Sequence, residues 1–354
     1  MNNFKAFLKR KDIEFSSKRY LQEALSAMAL GLFASLLIGL IIKTIGQQTI
    51  LLIGGEDTSL LAIKSIADFL IETGSIAMGL MGAAIGIAVA WGLKAPPLVL
   101  FTSVVTGMMG AAFGGPAGAF ISAAIGAEFG KAVSKETKVD ILVTPALTLI
   151  MGMLAAKLVG PGVDGLMTGL GQLIMKATEL QPFMFGIIIA IIVGLALTAP
   201  ISSAALCIML DLSGLAAGAA TVGCCAQMVG FAVVSYRDNG IGGLVAQGLG
   251  TSMLQVANII KNPWILLPAT LAGAIVGPLA TVVFKMSNIA LGAGMGTSGL
   301  VGQIGTFTAM GFSVTVLFEI LLLHIALPAV LALSIDKLLR KFNKVKDGDY
   351  LLEL

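Results

Sequence analysis

The sequence predicts an all-α polytopic membrane protein with about ten transmembrane helices, some re-entrant or half-length, and an internal parallel repeat. Three observations predict it. Of 354 residues, 57% are hydrophobic and 12% charged, where a soluble domain carries roughly 25% charged residues. Long apolar runs recur along the chain, and the basic residues gather at its two ends. The 44 glycines beside 6% aromatics suit smooth helices that pack backbone to backbone in lipid. Glycine has no three-residue period and aliphatics abound, which excludes collagen and disorder. The net charge of +3 forms no groove-reading patch, so no nucleic-acid partner is expected.

MNNFKAFLKRKDIEFSSKRY opens the chain. No small-residue cleavage site follows the first apolar run, so residues 1–24 are expected to be a retained cytoplasmic leader. Apolar runs follow at 25–45, 75–93, 97–113, 116–133, 141–159, 183–199, 201–217, 218–235, 264–284 and 304–335. The runs that begin at 97, 116, 201 and 218 are short and broken by glycine or proline, as expected of half-helices or hairpins. Lys5, Lys9, Arg10, Lys11, Lys18 and Arg19 precede the first run; Lys337, Arg340, Lys341, Lys344 and Lys346 follow the last. Both ends are therefore expected in the cytoplasm, with 337–354 as a tail, and the span number is even. Lys131, Lys135, Lys138 and Arg237 fall on the same side. The acidic 46–74 segment, with Glu56, Asp57, Asp68 and Glu72, falls outside.

Within the membrane domain, 25–336, two units read as copies, about 75–161 and 183–284. IAMGLMGAAIGIAVAWGLKAPP at 76–97 recurs as FMFGIIIAIIVGLALTAPIS at 183–202, pairing Gly82 with Gly186 and Ala95-Pro96 with Ala199-Pro200. EFGKAVS at 128–134 resembles MVGFAVVS at 228–235, TPALTLIMG at 144–152 resembles LPATLAG at 267–273, and both units end in Gly-Pro. Four spans per unit make the repeat parallel. The second copy carries an insertion at 239–263, neither apolar enough to span nor charged enough to be a solvent loop. On a helix its Thr251, Gln255, Asn258 and Asn262 form one polar stripe, joined by Gln247 and Ser252. A re-entrant helix facing a hydrated cavity fits this stripe better than an interfacial helix, whose polar face is usually rich in Lys and Glu.

Glu128, Asp211, Glu319 and His324 lie in or near spans, where an ionised group costs at least about 2.5–3.5 kcal/mol, so each is a functional candidate. Glu128, a candidate solute contact, has an alternative as the partner of Lys131. Asp211 has an alternative as a helix cap. Glu319 and His324 stand about 140° apart on a helix and make no natural pair. Gln227, inside a span, needs a helix or a solute hydroxyl as partner. LGAGMGTSGLVGQIG at 291–305 follows no strand and opens no nucleotide-binding unit; it reads as a flexible re-entrant turn carrying Thr297, Ser298 and Gln303. Cys207, Cys224 and Cys225 lie in apolar sequence with no metal-ligand spacing, and neither a cofactor nor a metal is expected. No catalytic constellation is visible, so the chain is not expected to be an enzyme. Amides and hydroxyls of this kind suit a small polar or polyhydroxylated solute.

The run APISSAALCIMLDLSGLAAGAATVGCCAQMVGFAVVS, then QGLGTSMLQVANIIKNP and GAGMGTSGLVGQIG, resembles the stand-alone membrane IIC subunits of the bacterial phosphotransferase system, in particular the compact IIC-like family that includes the perfringolysin O regulator. The resemblance covers about 20–340. It implies a homodimeric carrier in the bacterial cytoplasmic membrane, in contact with lipid, that binds a sugar or similar solute near the midplane. A IIB domain needs a soluble phosphocysteine and a IIA domain an accessible phosphohistidine. Neither has a counterpart here, so separate IIA and IIB proteins dock on the chain or solute moves unphosphorylated. The histidine and glutamate motif of the glucose-type families has no match, and neither residue is carried over. A ligand sensor without net transport is the alternative from another class; an ion channel lacks a carbonyl filter or charged ring.

Overall fold

The computed structural model describes residues 2–53, 61–199 and 202–352, and every regular element among them is helical apart from one isolated bridge between Gly214 and Asn288. Glu56, Asp57 and Pro200, on which expectations rested, lie outside the described residues. The chain divides into two compact units, Met1–Leu166 and Met167–Leu354.

In the first unit a short amphipathic helix, α1 (Asn2–Arg10), is followed by one long helix over Lys18–Ile50 that contains α2 (Leu25–Leu32) and the start of α3 (Ile38–Ile53). α4 (Leu61–Gly79) packs on α3 through small residues, Gly39 against Gly74 and Gly46 against Ala67. Residues 46–53 and 61–74 of the 46–74 segment belong to these two packed helices, and its Asp68 and Glu72 occupy an exposed helix face. α5 (Met81–Gly92) follows a 50° bend.

α6 (Pro97–Val133) has 37 residues, about 56 Å if straight, against a hydrocarbon core of about 30 Å. It is not straight. Gly114 (φ −152°, ψ 25°) and Gly115 (φ 53°, ψ −150°) leave the helical region, and Ser122 Oγ lies 2.8 Å from the Thr106 carbonyl oxygen, where a straight helix would hold them about 24 Å apart. The helix is a hairpin whose arms coincide with the apolar runs 97–113 and 116–133. A Cβ on Gly86 or Gly107 would meet the other's Cα at 2.9 or 2.6 Å, so α5 and the first arm touch through backbone. α7 (Asp140–Leu158) closes this group.

α8 (Gly160–Leu180) occupies a stretch with no predicted element; its apolar residues fall at helical spacing among Asp164, Lys176 and Glu179, too diluted for a long apolar run. In the second unit α9 (Pro182–Thr198), α10 (Ser203–Met209) and α11 (Gly214–Val234) replace the runs 183–199, 201–217 and 218–235. The break falls at 210–213, because Asp211 takes a left-handed φ of 48° and the Leu212 N–H returns to the Cys207 carbonyl, closing α10 in a Schellman-type turn. α11, rich in Gly and Ala, is buried over most of its length between α9, α14 (Leu267–Pro278) and α18 (Leu327–Lys341). Between them run α12 (Tyr236–Val245) and α13 (Val256–Lys261), and later α15 (Ala290–Ala293), α16 (Val301–Met310) and α17 (Val314–Ile320).

Six helices are long and apolar enough to cross a membrane, or seven with the bent α4–α5 pair taken as one span, against the ten expected. The difference arises at the hairpin, counted once, at the short α10, and at α9, whose 17 residues fall just below a full crossing. The repeat landmarks have mixed surroundings. Gly130 packs against Thr148 of α7 and Gly230 against Ala269 of α14, residues near but not equivalent in the TPALTLIMG and LPATLAG segments. Gly82 faces Gly107 and Ala111, whereas Gly186 faces Gly277 and Thr281.

Candidate functional site

Uncharged polar side chains gather around α11. Small residues on its neighbours let it lie in the middle of the second unit, so any polar group it carries must find a protein partner. Ser252 Oγ lies 2.8 Å from Thr198 Oγ1, Thr198 donates to Gln227 Oε1 at 3.1 Å, Gln227 Nε2 donates to Thr270 Oγ1 at 3.0 Å, and Thr270 donates to the Leu266 carbonyl at 2.9 Å. Each hydroxyl passes one proton along, so the chain is satisfied in one direction from Ser252 to a backbone carbonyl.

Two residues before Gln227, and so on the other side of α11, Cys225 lies 3.6 Å from Gln303 Nε2, and that nitrogen is 3.1 Å from His324 Nδ1. Gln303 Oε1 is buried without a partner among the described residues. An amide bonded to His324 Nδ1 as acceptor fixes the neutral tautomer with its proton on Nε2. Thr297 Oγ1 donates to the Gly248 carbonyl at 2.5 Å and touches Met228 Sδ at 3.6 Å; Ser298 is half-buried beside it. The glycine-rich segment is not a loose turn. It folds into α15, a one-turn 3₁₀ segment and α16, pinned by Asn288, whose Nδ2 reaches Thr221 Oγ1 at 2.7 Å, the Gly302 carbonyl at 2.9 Å and Thr306 Oγ1 at 3.1 Å.

The insertion departs from the single stripe expected. Thr251 is extended (φ −161°, ψ 143°) and caps the next turn by accepting from the Met253 N–H at 3.1 Å, so it shares no helix face with Asn258. The remaining amides converge on the C-terminal segment. Gln247 Nε2 donates to Ser235 Oγ at 2.7 Å; Gln255 Nε2 donates to Gln247 Oε1 at 2.9 Å and the Tyr350 carbonyl at 3.0 Å. Asn258 reaches Gln255 Oε1 and the Leu351 carbonyl, both at 2.9 Å. Asn262 reaches the Lys344 carbonyl at 3.0 Å and Asp349 at 2.8 Å. Asp238 and Asn239 complete the clasp, Asn239 by accepting from the Leu352 N–H and donating to the Tyr350 carbonyl, each at 2.8 Å. Tyr350 is 0% and Val345 2% exposed, so residues 342–352 fold back as part of the unit and are not a free tail. Burial and the Asp336 carboxylate hold the Tyr350 phenol protonated far above its ordinary range, and its hydroxyl donates to Asp336 at 2.8 Å.

Glu128 belongs to the first unit. It is 8% exposed, 3.1 Å from Lys131 Nζ and 3.2 Å from the Tyr20 hydroxyl; Lys131 also donates to the carbonyls of Asp12 and Leu93. Glu128 thus has the paired role. Asp211 is exposed in its turn. Glu319 carries one buried oxygen without a partner among the described residues.

The structure therefore brings Gln227 and Ser252 together through Thr198, and Gln303 to His324. It gives Gln255, Asn258 and Asn262 to the C-terminal segment, with Gln247 behind them through Gln255. Thr198, Thr221, Thr270 and Asn288 were missed. Hydroxyls at span ends read as caps, and Asn288 is visible only as an Asn before a glycine-rich turn.

The profile of the family described as "Phosphotransferase system, EIIC" matches residues 22–352. No curated protein and no solved structure matches the chain.

Proposed function

The chain belongs to the phosphotransferase system EIIC family, and from that premise we propose that it carries a free, uncharged, sugar-like solute across the cytoplasmic membrane of a bacterium. Separate IIA and IIB proteins supply any phosphoryl transfer. Both ends face the cytoplasm, and two copies form the working unit. A membrane component of sugar transport is what family membership gives; solute, direction and assembly belong to the proposal.

The observation that carries it is the buried, uncharged hydrogen-bond set around α11, with Gln303 Oε1 left without a partner. An orphaned acceptor beside donors that pivot without losing charge balance suits a polyol, each of whose hydroxyls both donates and accepts. An ionised solute would leave its charge uncompensated there. The proposed contacts are Gln227, Ser252, Thr297, Ser298 and Gln303. The amides of the insertion act behind them, through the C-terminal clasp.

The test is thermal stabilisation of detergent-purified protein across free sugars, polyols, sugar acids and sugar phosphates, paired with uptake of any hit into vesicles. A ligand of the folded state at a hundred times its Kd adds about 2.7 kcal/mol. Stabilisation by free sugars, lost in Gln303→Leu, together with saturable uptake supports the carrier. Stabilisation without flux favours a ligand sensor, and stabilisation confined to anions overturns the uncharged-solute reading.

A further inference from the structure

The first unit contains a cavity of about 410 Å³ that the solute reading does not use, within the size range of ligand sites. Its wall carries Arg10, Lys11, Lys94, Lys131 and Lys135 and only two carboxylates, both already committed. Glu136 takes Arg10 at 2.8 Å and also pairs with Lys11, and Asp12 takes Arg19 at 2.7 Å. Lys131 is spent on Glu128 and two carbonyls. Lys94 and Lys135 face this cavity with no carboxylate at ion-pair distance among the described residues.

Both lysines stand just past a helix end, after α5 and α6 respectively. Lys94 has φ 57° and Lys135 φ 61°, the left-handed conformation in which a helix commonly ends and glycine is the unstrained choice. Beside this cavity lies an apolar one of about 500 Å³. The same leader segment walls both: Phe7, Leu8 and Ile13 face the apolar cavity, with Phe120 and Phe129 of α6 opposite, while residues 10–12 face the basic one.

We infer that the basic cavity is a binding site for a phosphate-bearing anion, recognised by Lys94 and Lys135 at the junction of the leader with the ends of α5 and α6. Two sources share that chemistry. An anionic phospholipid would place its phosphodiester among the lysines next to an apolar cavity suited to an acyl chain; a soluble phosphate ester would use the lysines alone. The inference does not depend on the solute proposal, which concerns the second unit.

The experiment uses the full chain in nanodiscs of phosphatidylcholine. In one arm phosphatidylglycerol replaces a rising share of the lipid; in the other, inorganic phosphate or glycerol 3-phosphate is added. Melting temperature and lipid retained in native mass spectra are read. Wild type is compared with Lys94→Asn/Lys135→Asn, since Asn tolerates the left-handed backbone, and with the charge-keeping Lys94→Arg/Lys135→Arg. Apparent affinity should fall roughly fivefold for each lysine neutralised and persist in the arginine pair. Response to phosphatidylglycerol alone assigns a lipid site, and response to the soluble anions assigns a phosphate-ester site. No stabilisation in either arm, or equal stabilisation of the asparagine variant, overturns the inference. If the asparagine variant does not fold, the salt dependence of the wild-type response decides: a response that 0.5 M salt, roughly enough to shrink the Debye length below 5 Å, leaves unchanged overturns it.

Discussion

The Gln255 side-chain amide donates to the backbone carbonyl of Tyr350 at 3.0 Å, across 95 positions of sequence. With Asn258 and Asn262 it binds a turn-rich stretch of backbone by its carbonyl oxygens. Removal of residues 343–354, or Tyr350→Ala, should therefore destabilise the second unit by about 3–5 kcal/mol, as for other large buried side chains. Thermal unfolding in detergent measures it. Gln255→Leu with Asn258→Leu should expose the C-terminal segment to protease while the rest stays resistant.

Gln227 joins three hydroxyls in one directional chain. Gln227→Leu leaves Thr198 without its acceptor and Thr270 without its donor, at a cost of about 1–3 kcal/mol for the buried groups left unpaired. Solute-dependent stabilisation should fall with it. Unchanged solute response in a folded Gln227→Leu protein would remove this residue from the proposed site.

Lys131 and Glu128 form a buried pair with little access to water. Lys131→Met strands the carboxylate and should destabilise the first unit by about 3–5 kcal/mol. Glu128→Leu added to it should recover part of the loss. Recovery stays incomplete because the Leu93 and Asp12 carbonyls still lack their donor. A double-mutant cycle on melting curves measures the coupling.

Gly115 sits at φ 53°, ψ −150°, where a Cβ is strained. Gly115→Ala should lower stability by about 1–3 kcal/mol. Gly169→Ala, in the open interior of α8, should raise it by up to about 1 kcal/mol through helix propensity. The pair distinguishes a hairpin from one long helix, which would favour both substitutions.

Lys11, then Arg10, hold the Glu136 carboxyl below the usual carboxylate range. A carboxylate with a lowered folded pKa contributes stability above its unfolded pKa and loses it as pH falls through the folded value. Leader docking should therefore persist at neutral pH and loosen below the usual carboxylate range. Amide exchange of α1 against pH follows it, and Glu136→Gln should reduce the pH dependence.

Much of the fold was legible because lipid imposes one strong local rule, an apolar run of sufficient length. The arms of α6, the break near Ala95-Pro96 and the pairing of Glu128 with Lys131 followed from glycine, proline and charge at short range. The break inside 201–235 falls at 210–213, where Asp211 had the alternative of a helix cap, and not between the apolar runs at 217 and 218. The reason is that the backbone turns at Asp211 while the apolar composition continues past it. Of the site, Gln227 and Gln303 were identifiable as polar groups in apolar surroundings. The amides at 247–262 read as a stripe facing a hydrated cavity; Gln255, Asn258 and Asn262 instead meet partners some eighty to a hundred positions away, in a segment that reads as a charged tail.

By itself the sequence determined that this is an all-helical membrane protein, which stretches are apolar enough to enter lipid, and which uncharged polar residues must be satisfied inside it. Those properties depend on residue type and near neighbours. Only the tertiary structure decided that residues 97–133 reverse on themselves, that the C-terminal segment satisfies the amides of the insertion, and that Gln303 meets His324 with one oxygen free. A buried donor fixes that an acceptor must exist; which acceptor it meets depends on packing among distant segments.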